Sequence, residues 1–93
     1  MSRPTAFEWD GVKAASNLAR HKVSFDYATR VFLDDARLIT DTTRSIDGEE
    51  RGKATGMIDG KLYTAVYTMR GTVCRIISAR RSNRSEERSY GHR

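Results

Sequence analysis

Residues 50–80, ERGKATGMIDGKLYTAVYTMRGTVCRIISAR, decide the fold. Asp59-Gly60 interrupts two strand-like runs, and this pair suits a two-residue type I′ hairpin because both central positions need positive φ. The run 61–69 that follows carries Tyr63, Thr64, Val66, Tyr67 and Thr68, side chains that pack well on a pleated, half-buried surface. Arg70-Gly71 marks a second tight turn, and Val73 to Arg80 reads as the next strand. Residues 50–58, 61–69 and 73–80 thus predict a three-stranded antiparallel meander. Strict alternation in the last strand sends Val73, Arg75, Ile77 and Ala79 to one face and Cys74, Ile76, Ser78 and Arg80 to the other.

Upstream, Leu38-Ile39-Thr40 extends the meander to a fourth strand within residues 37–44, and the polar stretch 41–49, with Asp47-Gly48, reads as a turn or loop. Phe7 and Trp9 alternate with acids in a short strand. Asp10 then caps a helix over 11–21, with Val12, Ala15 and Leu18 at helical spacing and Arg20-His21 where cations suit a C-terminus. Ser24 caps a second helix over about 25–33, whose stripe is Phe25, Ala28 and Phe32. Downstream, Ser82 or Ser85 caps a final helix, Glu86 and Glu87 fall in its first turn, and 91–93 form a tail. The expected fold is α+β: a twisted antiparallel sheet, two N-terminal helices on one face and a C-terminal helix, all in a single domain, 1–93.

The formal charge is +5, and it is uneven. Residues 1–47 hold seven Lys/Arg against seven Asp/Glu, whereas 48–93 hold ten against five. Such a field favours polyanions: nucleic acid, an acidic partner or a membrane surface. Cys74 is the only cysteine, so no intrachain disulfide forms, and no paired Cys/His spacing suggests zinc. Cys74 lies in an apolar strand and reads as core. With no signal-peptide pattern and no window near ~20 apolar residues, the expected setting is the cytoplasm, without a membrane.

Metal-free RNA cleavage requires three things: deprotonation of the ribose 2′-OH, stabilisation of the phosphorane's added charge, and a proton for the leaving 5′-oxygen. Arginine suits the second because its planar fork donates bidentate hydrogen bonds and keeps its charge. Arg51, Arg75, Arg80, Arg81, Arg84 and Arg88 supply cations, while His21, Glu50, Glu86 and Tyr90 are proton-transfer candidates. Other roles compete. His21 equally suits binding the last carbonyls of a helix, Tyr63 and Tyr67 suit a core more than a base-stacking platform, and neighbouring strand residues such as Glu50 and Arg51 point to opposite faces.

Across residues 7–90 the chain resembles the BrnT family of type II toxins. The match runs through Phe7-Glu8-Trp9-Asp10, Lys13, Asn17, Leu18, His21-x-Val23-x-Phe25, Ala28, Val31-Phe32 and Asp34. It resumes at Gly48-Glu49-Glu50-Arg51 and Gly56, is densest over Val66-Tyr67-Thr68-x-Arg70-Gly71 and Arg75 to Arg80, and closes with Glu87-Arg88 and Tyr90. The resemblance implies a RelE-like fold and a ribonuclease toxin that cleaves mRNA and arrests translation. It also implies neutralisation by a BrnA-type ribbon-helix-helix antitoxin, a 2:2 heterotetramer, and operator DNA bound through the antitoxin. Arg51 and Arg80 fall on family motif positions and are expected as phosphate and transition-state ligands, with His21, Glu50 and Tyr90 for proton transfer. Arg75, Arg81, Arg84 and Arg88 are expected RNA contacts, and no cofactor or metal is expected. Two departures stand out: Gly52-Lys53-Ala54 is poor in β propensity, and Lys22 replaces a typical glycine. The competing readings are a non-catalytic corepressor module that works with its partner, and an inactivated toxin homologue.

Overall fold

The computed structural model describes residues 3–43 and 50–91. They form β1 (Ala6–Glu8), α1 (Gly11–His21), α2 (Phe25–Ala28), a 3₁₀ turn (Thr29–Leu33), β2 (Leu38–Asp41), β3 (Gly52–Ile58), β4 (Lys61–Arg70), β5 (Val73–Arg81) and α3 (Arg84–Gly91). The expected Asp47-Gly48 turn and the last two residues of the expected tail lie outside the described residues. The fold is α+β, with a five-stranded sheet in the order β1-β5-β4-β3-β2. β2 to β5 are antiparallel as the meander predicts, and β1 adds a parallel strand at the β5 edge. No helix among the described residues is long and apolar enough to cross a membrane.

The hairpin forms as its turn chemistry dictates, with φ of 50° at Asp59 and 82° at Gly60. The weak β formers at the start of β3 are nonetheless a strand, because the packing there demands small residues. A Cβ at Gly52 would sit 2.6 Å from the Tyr67 ring, and one at Gly56 would sit 2.8 Å from the Val31 carbonyl oxygen. Ala54, between them, is fully buried. Their smallness lets the helical layer settle directly on the sheet.

The second helix is shorter than its stripe suggests. It is capped by Ser24, whose Oγ accepts from the Tyr27 N–H, but the chain tightens into the 3₁₀ turn after Ala28. β-Branched Thr29 and Val31 weaken helix propensity there. The stripe itself survives: Phe25, Ala28, Val31 and Phe32 are buried against the sheet with Tyr67, Cys74, Ile76 and Ala79. Phe32 meets Phe7 and Tyr67 at ring-centroid distances of 5.5 and 5.2 Å, and Trp9 meets Phe25 at 6.1 Å. Burial pushes the Cys74 thiol up to about 12, so it stays protonated within the core.

α1 begins at Asp10, whose carboxylate accepts from the Val12 N–H, and ends at Lys22 in the left-handed region, φ 61°. That is the conformation for which glycine is ordinarily used. Asn17 ties this helix to β5. Its amide donates to the Ala79 carbonyl at 2.8 Å and to the Val23 carbonyl at 3.0 Å, and its oxygen accepts from the Ala79 N–H at 3.1 Å. β1 pairs only with residues 73–75, so the Asn17 side chain serves the remainder of this edge as a neighbouring strand would.

One irregularity redirects the basic residues. Val66 pairs with Ser78 but Tyr67 pairs with Ile76, so Ile77 is an extra residue and β5 bulges there. Strict alternation fails at that point. Arg75 and Arg80, expected on opposite faces, are on the same face, since their partners Thr68 and Thr64 are both on the side of β4 away from α1 and α2.

Candidate nucleic-acid interface

The sheet face away from α1 and α2 carries Lys53, Thr55, Thr64, Ser78, Arg80 and Arg75, and α3 is packed over part of it at β3. α3 starts in a reciprocal capping box: the Glu86 N–H donates to Asn83 Oδ1 at 2.8 Å, and the Asn83 N–H donates to Glu86 Oε1 at 2.9 Å. The N-cap is therefore Asn83 rather than Ser82 or Ser85. The reason is that only Asn83 has a glutamate three residues on that can close the box. Ser82 instead hydrogen-bonds to Thr64.

Glu86 is the hub of this face. Only 4% exposed, it accepts from both terminal nitrogens of Arg80 at 2.8 Å, from Thr64 Oγ1 at 3.0 Å, and pairs with Lys53 Nζ at 3.1 Å. Burial alone raises a carboxylate's pKa. Here the Arg80 fork, the Asn83 N–H, Lys53 and Thr64 outweigh it and hold Glu86 at about 2. Glu86 is thus an anchored anion, not a proton donor at neutral pH. Thr64 Oγ1 donates to Glu86, which leaves its lone pairs to accept from Thr55 and Ser82. The Glu86 hydrogen bonds in turn raise the Arg80 pKa.

Arg80 is aimed but not exhausted. Nη1 donates to Glu86 and to the Arg81 carbonyl, and Nη2 donates once to Glu86, so among the described residues Nε–H and one further N–H keep the capacity to donate. Along the same face, Arg75 is held by Glu8 at 2.8 Å. Between the two arginines lies Ser78, which also lines a depression of about 250 Å³ with Lys13, Ser16, Arg20, His21 and the bulged Ile77. Two cations and an imidazole from α1 therefore meet β5 where it bulges.

The other expected residues are placed elsewhere. Glu50 and Arg51 precede β3, so strand alternation does not govern them, and both line a depression with Ile39, Asp41 and Thr43. Thr68 Oγ1 donates to the Glu50 carbonyl, and the Arg51 N–H donates to Thr43 Oγ1. By register this is four residues along β3 and two strands across from Arg80, about 16 Å between backbones at ordinary strand spacings. Tyr90 Oη donates to Asp34 Oδ2 at 2.6 Å, and the same oxygen accepts from the Met57 N–H. Arg81 turns to the helix side, its guanidinium 5.5 Å from the Tyr63 ring centroid. Arg84 and Arg88 are exposed on α3. Tyr67 belongs to the core and Tyr63 packs against it. Lys53, Lys13, Arg20 and Ser78 were not singled out from the sequence as site residues. Asn83-x-x-Glu86 was a legible signal for the hub, and helical spacing puts Lys13, Asn17 and Arg20 on one face of α1, but which element that face meets depends on where α1 docks.

Among the described residues no three His, Cys, Asp or Glu side chains cluster as metal ligands would. A search of curated proteins finds no match. The family model described as "Ribonuclease toxin, BrnT, of type II toxin-antitoxin system" matches residues 9–86, a span that includes His21, the bulged strand, Arg80 and Glu86. With most of its length matched, the chain belongs to the BrnT family of ribonuclease toxins of type II toxin–antitoxin systems.

Proposed function

We propose that this chain is a metal-independent endoribonuclease that cleaves mRNA and so arrests translation, acting at the bulged edge of β5. The observation that carries the reading is the position of Ser78, which faces the same side as Arg75 and Arg80 and also lines the depression that holds Lys13, Arg20 and His21. A phosphodiester seated at Ser78 is flanked by cations on both sides and by a side chain able to move a proton. In this reading His21 removes the 2′-OH proton, which makes that oxygen the nucleophile on the adjacent phosphorus. Arg80 then donates to the phosphorane oxygens as their charge grows, the P–O5′ bond breaks to leave a 2′,3′-cyclic phosphate, and the departing 5′-oxygen takes a proton from solvent water. Arg75, Lys13 and Arg20 hold flanking phosphates, and Arg84 and Arg88 extend the basic surface along α3. Arg51 and Glu50 take no part in bond breaking, and Tyr90 secures α3 to Asp34.

The whole chain, 1–93, acts as one domain in the cytoplasm. Its antitoxin is of the BrnA ribbon-helix-helix type, and two toxins and two antitoxins form a complex that binds operator DNA through the antitoxin. Cleavage of a defined RNA in EDTA tests the mechanism. Undiminished activity and products ending in a 2′,3′-cyclic or 3′-phosphate are expected. Loss of cleavage in EDTA with rescue by Mg²⁺, or products bearing a 5′-phosphate, would sink it. Induced expression without growth arrest would favour a binding module instead.

A further inference from the structure

Lys53, Val66 and Ser78 form one register row across β3, β4 and β5, and Thr55, Thr64 and Arg80 form the next, so all six share the face that α3 partly covers. Neither row holds an acid. About 10 Å, two strand spacings, separates the Lys53 and Ser78 backbones, with half-buried Val66 between them. Glu86 draws two cations together on this face: its Oε2 accepts from Arg80 Nη2 at 2.8 Å and pairs with Lys53 Nζ at 3.1 Å. Both contacts end on one oxygen, so the two cationic heads are no further apart than those contacts laid end to end.

We propose that Lys53 is a further phosphate ligand of the cleavage site, seating the scissile phosphodiester over Val66 with Ser78 across from it and Arg80 alongside. The inference rests on the ribonuclease reading above and adds a ligand to its phosphate. Charge carries the argument. Arg80, bound through both terminal nitrogens, balances the single charge of Glu86 by itself, and the Asn83 N–H and Thr64 add further hydrogen bonds to the carboxylate. Lys53 is therefore one positive charge in excess. The Glu86 side chain is only 4% exposed, whereas those of Lys53 and Arg80 are 28% and 31% exposed, so it is the cationic side of the network that meets solvent. A surplus of one charge matches a phosphodiester, and the attraction grows as the phosphorane gains a second negative charge. The Lys53 ammonium has three N–H donors and one contact, with Glu86, so among the described residues it keeps the capacity to donate to a phosphate oxygen.

The test is single-turnover cleavage of a defined RNA by the purified toxin, with RNA affinity measured across a salt series. Lys53→Gln is expected to lower cleavage at least about tenfold and to make the salt dependence of binding shallower by about 0.7, the slope of one phosphate contact on a single strand. Lys53→Arg, which keeps the charge, is expected to recover part of both losses. Lys61→Gln, exposed on the opposite face of β4, is expected to match the parent. A lysine that served only to balance Glu86 would become dispensable once that carboxylate is gone. Adding Lys53→Gln to Glu86→Gln is therefore expected to lower cleavage further, and a double variant that cleaves as Glu86→Gln does overturns the proposal. So does parent-like cleavage by Lys53→Gln. Lys53→Met, which keeps an unbranched apolar stem, takes its place should Lys53→Gln unfold. If the parent binds RNA but does not cleave it, the functional reading fails, yet the salt slope still decides the seat: a parent slope in Lys53→Gln overturns it and a shallower one supports it. A parent that neither binds nor cleaves RNA overturns both.

Discussion

Phe25 on the helix side of the sheet and Glu86 on the other are almost equally hidden from water, 1% and 4% exposed, yet they are held by different physics. Phe25 is surrounded by apolar side chains, among them Trp9, and its burial drives folding directly. Glu86 is surrounded by donors: Arg80, Lys53, Thr64 and the Asn83 N–H. Burying a charged network contributes little net stability, because desolvation offsets most of the attraction. What it does supply is orientation. The helix side makes the domain fold, and the α3 side spends little on folding but fixes where Arg80 and Lys53 stand.

The sharpest way to break this contrast is to truncate both sides. Phe25→Ala should cost about 3–5 kcal/mol, the range for deleting a buried aromatic ring, measured by urea unfolding. A cost under about 1 kcal/mol would mean that this face is not the stabilising one. Next in size, Arg80→Ala should lower single-turnover cleavage about 10²-fold or more with little change in RNA affinity, as expected for an interaction that strengthens in the transition state. Cleavage at the parent rate, with folding confirmed by circular dichroism, would remove Arg80 from the site.

Glu86→Gln sharpens the comparison through pH. The Glu86 carboxyl sits at about 2 in the folded state against 4.5 ordinarily, so the stability it contributes is fully present above pH 4.5 and is lost as pH falls toward 2. The parent should therefore lose stability over that window, and Glu86→Gln should lose less. At pH 7 the variant should be about 2 kcal/mol less stable, because a neutral amide leaves Arg80 and Lys53 without their counter-charge, a cost of breaking the network that exceeds the net contribution of the intact one. Parallel pH profiles for the two proteins would show that Glu86 is not the anchored anion. The smallest effect is expected at Arg84, an exposed residue of α3: Arg84→Ala should weaken RNA binding a few-fold and reduce its salt dependence, with turnover at saturating enzyme unchanged.

Local interactions account for what the sequence by itself determined. The Asp59-Gly60 turn, the meander, the caps at Asp10 and Ser24 and the Phe25–Phe32 stripe depend on residues a few positions apart, and all are present. The Asn83–Glu86 box is equally local and legible, since neither Ser82 nor Ser85 has an acid three residues on to close one. Tertiary pairing decided the site. Arg75 and Arg80 share a face only because β5 bulges at Ile77, and a bulge is set by the partner strand rather than by the bulged residues alone. Lys13, Arg20 and His21 reach β5 only because Asn17 hydrogen-bonds to Ala79, 62 positions away. Periodicity reports which side of its own element a residue occupies. Which elements face one another depends on packing and hydrogen bonds between distant segments, and that is where the basic residues of this toxin were brought together.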